Sequence, residues 1–301
     1  MVTPDTVWDC FHPVNQLTGA AEVAEGLLRP IRAALGMAMR RDDIFIGGAT
    51  WMGQGNWVAS LGHYVGNFNA PLFGVVPNGK LVFLRYGEYY RIEAGKIAEA
   101  KIIIDLPDLM RQVGAMPIPE MLGTEMLFPA PATHDGVLPN APERSDASAQ
   151  LVWNMLADLH VYDPENFSST GQTGTGGYWH EQMLWYGPAG IGSNHTYPGF
   201  DKFHRVAFLT AFPDRKGGNH FCRIGDGDFV ASGGWPSMTM THAGPYLGVP
   251  ATNKKMSLRV MDLWRCENGQ IMENWVLLDY VQLFEFMGVD LIAKHQEIAG
   301  R

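Results

Sequence analysis

Two copies of an α+β domain, each a curved antiparallel sheet wrapped on helices, are predicted by three features of the sequence. First, the chain repeats itself without gaps at an offset of 174 residues: 95–114, GKIAEAKIIIDLPDLMRQVG, matches 269–288, GQIMENWVLLDYVQLFEFMG, at Gly95/Gly269, Ile97/Ile271, Glu99/Glu273, Asp105/Asp279, Leu109/Leu283 and Gly114/Gly288. The match runs upstream through Arg91/Arg265, Arg85/Arg259, Lys80/Lys254 and Gly74/Gly248, too long a run for chance. Second, each copy carries a hairpin signal. Third, each sets a helical stretch ahead of its strands.

The hairpins are the clearest elements. KLVFLRYGEYYRI and KIAEAKIIID flank the turn Glu93-Ala94-Gly95, and MSLRVMDLWRC and QIMENWVLLD flank Glu267-Asn268-Gly269. Asn-Gly suits a two-residue turn because both residues tolerate positive φ. Ahead of each hairpin comes a strand, NWVASLGHYVGNF or DFVASGGWPSMTMTHAG, and ahead of that a helix, AAEVAEGLLRPIRAALGMAM or GFDKFHRVAFLTAF. A further helix, roughly Ala149 to Leu159, precedes the second copy alone, and a short apolar segment closes each copy at Gly114 or Gly288. Between them, 116–150 holds prolines at 117, 119, 129, 131, 139 and 142, a density that forbids a regular helix or central strand. The expected domains are therefore 1–115 and 146–301, with a Pro-rich linker over 116–145.

Length and composition agree with this plan. A chain of 301 residues has room for two ordinary domains. Its 46% hydrophobic and 18% charged content is globular. A net charge of -9 and the absence of any Lys/Arg run longer than a pair argue against nucleic acid or an anionic membrane as partner. The three cysteines, Cys10, Cys222 and Cys266, lie far apart and suggest neither a disulfide framework nor a zinc knuckle. No basic, apolar leader stands at the start and no run of about 18 apolar residues occurs, so a cytoplasmic location is expected.

Strand alternation then distributes the side chains. A two-residue turn at Asn268-Gly269, continued without interruption, sets Asp279 opposite Leu258 and Asp262 opposite Trp275. Asp279, Leu277, Trp275 and Glu273 then share a face with Val260, Asp262 and Trp264, while Arg259 and Arg265 lie on the other face. A face of carboxylates among large apolar groups reads as a pocket wall, where burial raises carboxyl pKa values. In the first copy the same rule sets Glu88 opposite Lys101, on a face with Asp105, Tyr86, Tyr90 and Glu99, and makes a smaller, less apolar pocket. Asp105 and Asp279 also stand where helix caps stand, ahead of short apolar helices.

These residues resemble the SnoaL-like polyketide cyclase family, within the nuclear-transport-factor-2-like superfamily. LWRCENGQIMENWVLLD is similar to its tail pattern, GDGDFVASGG and THAGPYLGVPATNKK to its middle strand and following loops, with Asn253 where the family usually has Gly, and FLTAFPD to its helix end. The likeness covers 150–301 and, more weakly, 8–115. It implies two tandem cone-shaped α+β barrels, the first lacking its N-terminal helix. It further implies a cofactor-independent and metal-free intramolecular aldol condensation on a hydrophobic carbonyl compound. Asp279 would be the general acid/base, with Asp105 its counterpart. His242 and Trp275 would orient the ring system, and His63 would be a helper in the first copy.

Other candidate substrate contacts are Tyr178, Trp179 and His180 at the mouth of the second pocket, and Trp235 on its preceding strand. GQTGTGG follows a helix rather than a strand and reads as a flexible lid or linker, not a phosphate loop. The ten histidines show no metal-ligand spacing. An epoxide-hydrolase-like site would need an arginine between two acids on one face, which the alternation opposes. The alternative from another class is a non-catalytic small-molecule-binding or dimerisation module of the same fold, and a homodimer is one possible assembly.

Overall fold

A computed structural model describes residues 2–36, 38–50 and 55–300. The first repeat runs β1 (Val2–Cys10), β2 (Gln16–Thr18), α1 (Gly19–Val23), α2 (Arg29–Leu35), β3 (Met39–Ala49), β4 (Asn56–Asn67), β5 (Leu81–Glu93), β6 (Lys96–Ile104) and α3 (Leu106–Gln112). The second runs α4 (Ser145–Asp158), β7 (Trp179–Tyr186), β8 (Ser193–His195), α5 (Thr196–Phe200), α6 (Val206–Ala211), β9 (Lys216–Gly217), β10 (His220–Asp226), β11 (Phe229–Thr241), β12 (Lys255–Glu267), β13 (Gln270–Leu278), α7 (Tyr280–Met287) and α8 (Leu291–Ala299). A π-helical turn joins the helices before each main sheet, Ala24–Leu28 in one copy and Asp201–Arg205 in the other. Among the described residues a helix, α4, stands ahead of the first strand of the second repeat.

The two sheets follow one plan, β2-β1-β6-β5-β4-β3 and β10-β11-β12-β13-β7-β8, with β9 added beside β11. They are mixed rather than wholly antiparallel: β1 lies parallel to β6, and β7 parallel to β13. That correction follows from the chain's path, because the leading strand of each repeat joins the edge of its own last strand.

The hairpin turns form at Ala94-Gly95 and Asn268-Gly269, all four residues at positive φ. The register does not run on without interruption, however. Glu267 pairs with Gln270 and Cys266 with Ile271, but Arg265 then pairs with Glu273, so one extra residue bulges into β13. The first repeat has the same slip, between Ile92↔Ile97 and Arg91↔Glu99. A one-residue bulge moves every later side chain to the other face. Asp262 therefore faces Val276, and Trp275 faces Leu263. Likewise Glu88 lies opposite Ile102, not Lys101, whose ammonium is instead ion-paired with Asp9 and Glu99.

The face carrying Trp275 is buried between the repeats. Ile46, Trp57, Leu61, Tyr89 and Ile103 of the first sheet pack on Phe229, Ala231, Met261, Leu263, Trp275 and Leu277 of the second in one continuous core. Close approach depends on Gly87 and Gly233. A Cβ at Gly87 would sit 2.8 Å from Leu277 Cδ1, and one at Gly233 2.5 Å from Phe221 Cζ. The Pro-rich segment straps this interface: Phe128 is buried within it, and the Pro129 carbonyl accepts a hydrogen bond from Trp275 Nε1 at 3.0 Å.

Carboxylates at the rim of the interface are matched by arginines. Asp279 caps α7, accepting from Gln282 N at 3.3 Å, and also accepts from Arg259 at 3.1 Å and from His12 N of the other repeat at 3.0 Å. Asp105 caps α3 and accepts from Asp108 N, from Arg85 at 3.2 Å and from Ala189 N of the other repeat at 3.1 Å. Each closing aspartate thus ties its helix to its sibling domain. The C-terminal helix α8 adds a further tie: buried His295 accepts from Val76 N and donates to the Ala115 carbonyl.

Removing the carboxylate of Asp279 would leave Arg259, His12 N and Gln282 N without their acceptor. Asp279→Ala is expected to lower stability by roughly 3–5 kcal/mol, the usual effect of breaking a buried charge pair, in equilibrium urea unfolding. Asp279→Asn, which keeps an acceptor for the cap, is expected to lose clearly less.

Candidate functional site

A cavity of about 520 Å³ opens on the concave side of the second sheet, within the range of ligand sites. Five groups of residues wall it. Met155, Leu156, Leu159 and His160 come from α4 and its end; Trp179 and Trp185 from β7; Phe200, His204, Arg205 and Phe208 from the helical layer. The sheet supplies Arg223, Ser232, Val260, Asp262, Trp264, Asn274 and Val276, and the α6–β9 loop supplies Arg215.

The sheet residues gather there because of pairing. Arg223 faces Ser232 across β10 and β11, Ser232 faces Asp262, and Asp262 faces Val276. These four form one row, and directly paired residues point to the same side of a sheet. Gly225, Val230, Trp264 and Asn274 form the next row.

Asp262 is the lone carboxylate in this wall. Burial raises its pKa from the ordinary 3.8 to about 7, with the Asn274 amide opposing. It makes no ion pair among the described residues. The residue is half-buried and lines the cavity, where Trp264 and Val260 stand two residues to either side and Val276 opposite in register. A carboxyl in that setting exchanges a proton near neutral pH, which is what general acid–base catalysis needs.

The other polar groups of the wall are held neutral or positive. His204 stacks on Trp185 at 4.3 Å, and burial with the charges of Arg215 and Arg205 pushes its pKa down to about 3. Burial and the same two arginines lower His160; burial and Arg223 lower His220. His220 lies 3.5 Å from Ser232 Oγ and 3.4 Å from Ser237 Oγ. Among the described residues no group of three or more His, Cys, Asp or Glu side chains could hold a metal ion.

Of the residues singled out from sequence, Asp262, Trp264 and Trp179 line the cavity. The others lie elsewhere. The bulge in β13 turns Trp275 into the interdomain core, and Trp235 lies against that core with Arg259 at 4.7 Å from its ring. Asp279 is outside the lining, its oxygens taken by Arg259 and two backbone N–H groups; burial raises its pKa and Arg259 opposes the rise. Asp105 has the same arrangement in the first repeat. His242 is fully buried behind the helical layer, against Phe212, with Nδ1 at 3.1 Å from Thr252 Oγ1. His63 pairs with Asp43 at 2.9 Å, away from the second cavity. Tyr178 packs at the edge of the second core, and His180 Nδ1 accepts from Gln182 N on the surface.

Tyr86 and Tyr90 do lie on the concave side of the first sheet, but as parts of a closed network. Glu88, the counterpart of Asp262 at the 174-residue offset, accepts from Tyr64 and Tyr90 at 2.5 Å each and from Arg40 at 2.6 Å. Tyr86 donates to Asp42 at 2.6 Å, and Asp42 also takes Ser60. A hollow of about 340 Å³ remains beside Leu28, Arg32 and Tyr64, with no free carboxylate in its wall.

Sequence reasoning missed Ser232, Arg223 and Arg215. A signal existed for Arg223: in HFCRIGD the flanking Cys222 and Ile224 are apolar and core-facing, so alternation sends the arginine inward. Arg215 sits in a loop, where no periodicity applies.

No curated protein matches the chain. Solved structures match it one repeat at a time. A candidate SnoaL-like polyketide cyclase from Jannaschia Sp. CCS1 is 13% identical with a TM-score of 0.40, covering 50% of this chain and 97% of its own. IdmH, a candidate polyketide cyclase from Streptomyces antibioticus, is 22% identical with a TM-score of 0.34, over 46% and 98%. AclR, a candidate hydroxylase from Streptomyces galilaeus, is 20% identical with a TM-score of 0.36, over 48% and 82%. The family model for SnoaL-like polyketide cyclases matches residues 5–113 and again 173–285, so most of the sequence is accounted for by two copies of one domain: the chain belongs to the SnoaL-like polyketide cyclase family.

Proposed function

We propose that the second repeat is a cofactor-independent cyclase-type lyase or isomerase, and that Asp262 rather than Asp279 is its general acid/base. The observation that carries this reading is a lone, unpaired carboxyl in the wall of a largely apolar cavity of about 520 Å³. A hydrophobic carbonyl compound would lie against Trp179, Trp264 and Val260. Ionised Asp262 takes a proton from the carbon α to a carbonyl; the resulting enolate attacks a second carbonyl of the same molecule and forms the ring C–C bond. The alkoxide so produced takes the proton back from the Asp262 carboxylic acid, and the Ser232 hydroxyl, next to Asp262 across the strand pair, is a hydrogen-bond donor to the oxygen on which charge develops. The first repeat, with Glu88 consumed by tyrosines and Arg40, serves as scaffold.

Proton abstraction can be followed without knowing the natural substrate. In D2O, the full chain is expected to accelerate deuterium exchange at the α-carbon of ethyl benzoylacetate over buffer, read by proton NMR. Asp262→Asn is expected to lose about 10²–10⁴-fold of that acceleration with an unchanged circular dichroism spectrum. Undiminished exchange in Asp262→Asn would remove this residue from the mechanism. Because the base is the ionised form, the wild-type rate is expected to rise with pH and level off above about 7.

Linkage gives a second outcome. The folded-state pKa of Asp262 lies above its ordinary 3.8, so the unfolded chain ionises first. The cost of charging the buried carboxyl is absent below pH 4, grows between 4 and about 7, and is complete above that. Wild-type stability should therefore fall across this window by roughly 2–4 kcal/mol relative to Asp262→Asn, measured by urea unfolding at pH 5 and pH 8. Parallel stability curves for the two proteins would mean that Asp262 is not held neutral by the fold.

A further inference from the structure

The wall of the second-repeat cavity carries positive charge that the proton transfer above does not use. Arg215, in the loop after α6, and Arg223, on β10, both line it. The Nε of each is buried without a hydrogen-bond partner. Among the described residues no carboxylate acts on either guanidinium: burial lowers both, joined at Arg215 by the like charge of Arg205 and opposed there by Tyr162. The neighbouring aromatic surface, Trp153, lies 5.4 Å from Arg223 and neutralises nothing.

Arg215 and Arg223 are half-buried, and although the Nε of Arg85 and Arg205 is unpartnered too, the missing counter-ion sets them apart from the chain's other enclosed arginines. Arg85, Arg205, Arg259 and Arg265 each hold an aspartate or glutamate within 3.2 Å. A guanidinium partly withdrawn from water with no counter-ion is disfavoured. Two of them on one cavity amount to a standing positive potential, and the three histidines of the same wall stay neutral under it. The missing counter-charge is best supplied by what the cavity binds.

We infer that the ligand of this cavity is a hydrophobic carboxylic acid in its ionised form, with Arg215 and Arg223 as the specificity-determining residues whose charge draws and holds its carboxylate, while its apolar body lies along Trp179 and Trp264. Arginine offers paired N–H donors in the fork that a carboxylate matches. A phosphate monoester carries an extra charge and a third oxygen, and the titration below separates it from a carboxylate. The inference rests on reading this cavity as the substrate site, but not on Asp262 being the acid.

Isothermal titration of the full chain with 2-naphthoate, methyl 2-naphthoate and 2-naphthyl phosphate tests it. The acid is expected to bind about ten-fold or more tightly than the ester. Arg215→Gln and Arg223→Gln should each reduce acid binding toward the ester's level and leave ester binding unchanged, which also reports an intact cavity; Arg215→Lys should keep part of the preference. Asp262→Asn should retain the preference for the acid, so loss of exchange in that variant and loss of acid preference in the arginine variants are separate results. Equal binding of acid and ester, a preference that survives both glutamine substitutions, tighter binding of the phosphate, or no binding of the acid would each overturn the inference.

Discussion

The packing of two sheets face to face governs everything else in this chain. Each sheet has two faces, and the convex pair, built around Trp57 and Tyr89 on one side and Met261, Trp275 and Leu277 on the other, is buried in the middle of the molecule. Only the concave faces remain for helices and ligands. Polar groups drawn into the convex layer or its rim must therefore find their partners within the protein, and the carboxylates there do. Asp279 has Arg259, Asp105 has Arg85, and Glu273 has Arg265, Tyr186 and the Ala132 N–H. Carboxylates so fully engaged are structural members.

The concave faces began as one design and differ now in what occupies the middle row. Ser60, Glu88 and Ile102 in the first sheet correspond to Ser232, Asp262 and Val276 in the second. In the first, tyrosines at 64, 86 and 90 fill the volume and bring hydroxyls to the acids, and Arg40 neutralises what remains. At the 174-residue offset Tyr86 and Tyr90 are replaced by Val260 and Trp264. Valine leaves space and neither residue can donate an O–H, so the acid of the second repeat stays unpaired beside a cavity. One cavity with an unpaired carboxyl in a two-repeat chain is thus a consequence of side-chain chemistry at three or four positions.

Much of the fold was legible in the sequence, and the limits have a definite physical origin. The hairpins, their turns, the Pro-rich strap and the helix ahead of the second repeat all carry local signals: Asn268-Gly269, proline density, apolar periodicity. The bulges opposite Arg91 and Arg265 carry none, because an extra residue in a strand of uniformly apolar and polar alternation looks like any other residue. That single slip explains why β12 was read on its correct face, giving Asp262 and Trp264, while β13 was read on the wrong one, giving Trp275. The closing aspartates were ambiguous for another reason. A cap and an acid/base occupy the same place at a strand end, and only the partners supplied by the distant repeat, His12 N and Ala189 N, distinguish them.

The remaining question is how Asp262 keeps a raised pKa in a wall that also holds arginines. The row Arg223–Ser232–Asp262 contains the answer. Neighbouring strands lie about 4.8 Å apart, so Arg223 and Asp262, separated by one intervening strand, have backbones about 10 Å apart. Charge on Arg223 acts on His220 beside it and does not count among the influences on Asp262, where burial dominates. An arginine in place of Ser232 would bring a positive charge one strand closer and give Asp262 the kind of ion pair that Asp279 makes with Arg259. Serine is small enough to keep the charges apart and polar enough to hydrogen-bond either a substrate oxygen or the neighbouring His220. Spacing across the sheet thus lets one wall hold two opposite requirements, a fixed positive charge to receive an anion and a carboxyl free to give and take a proton.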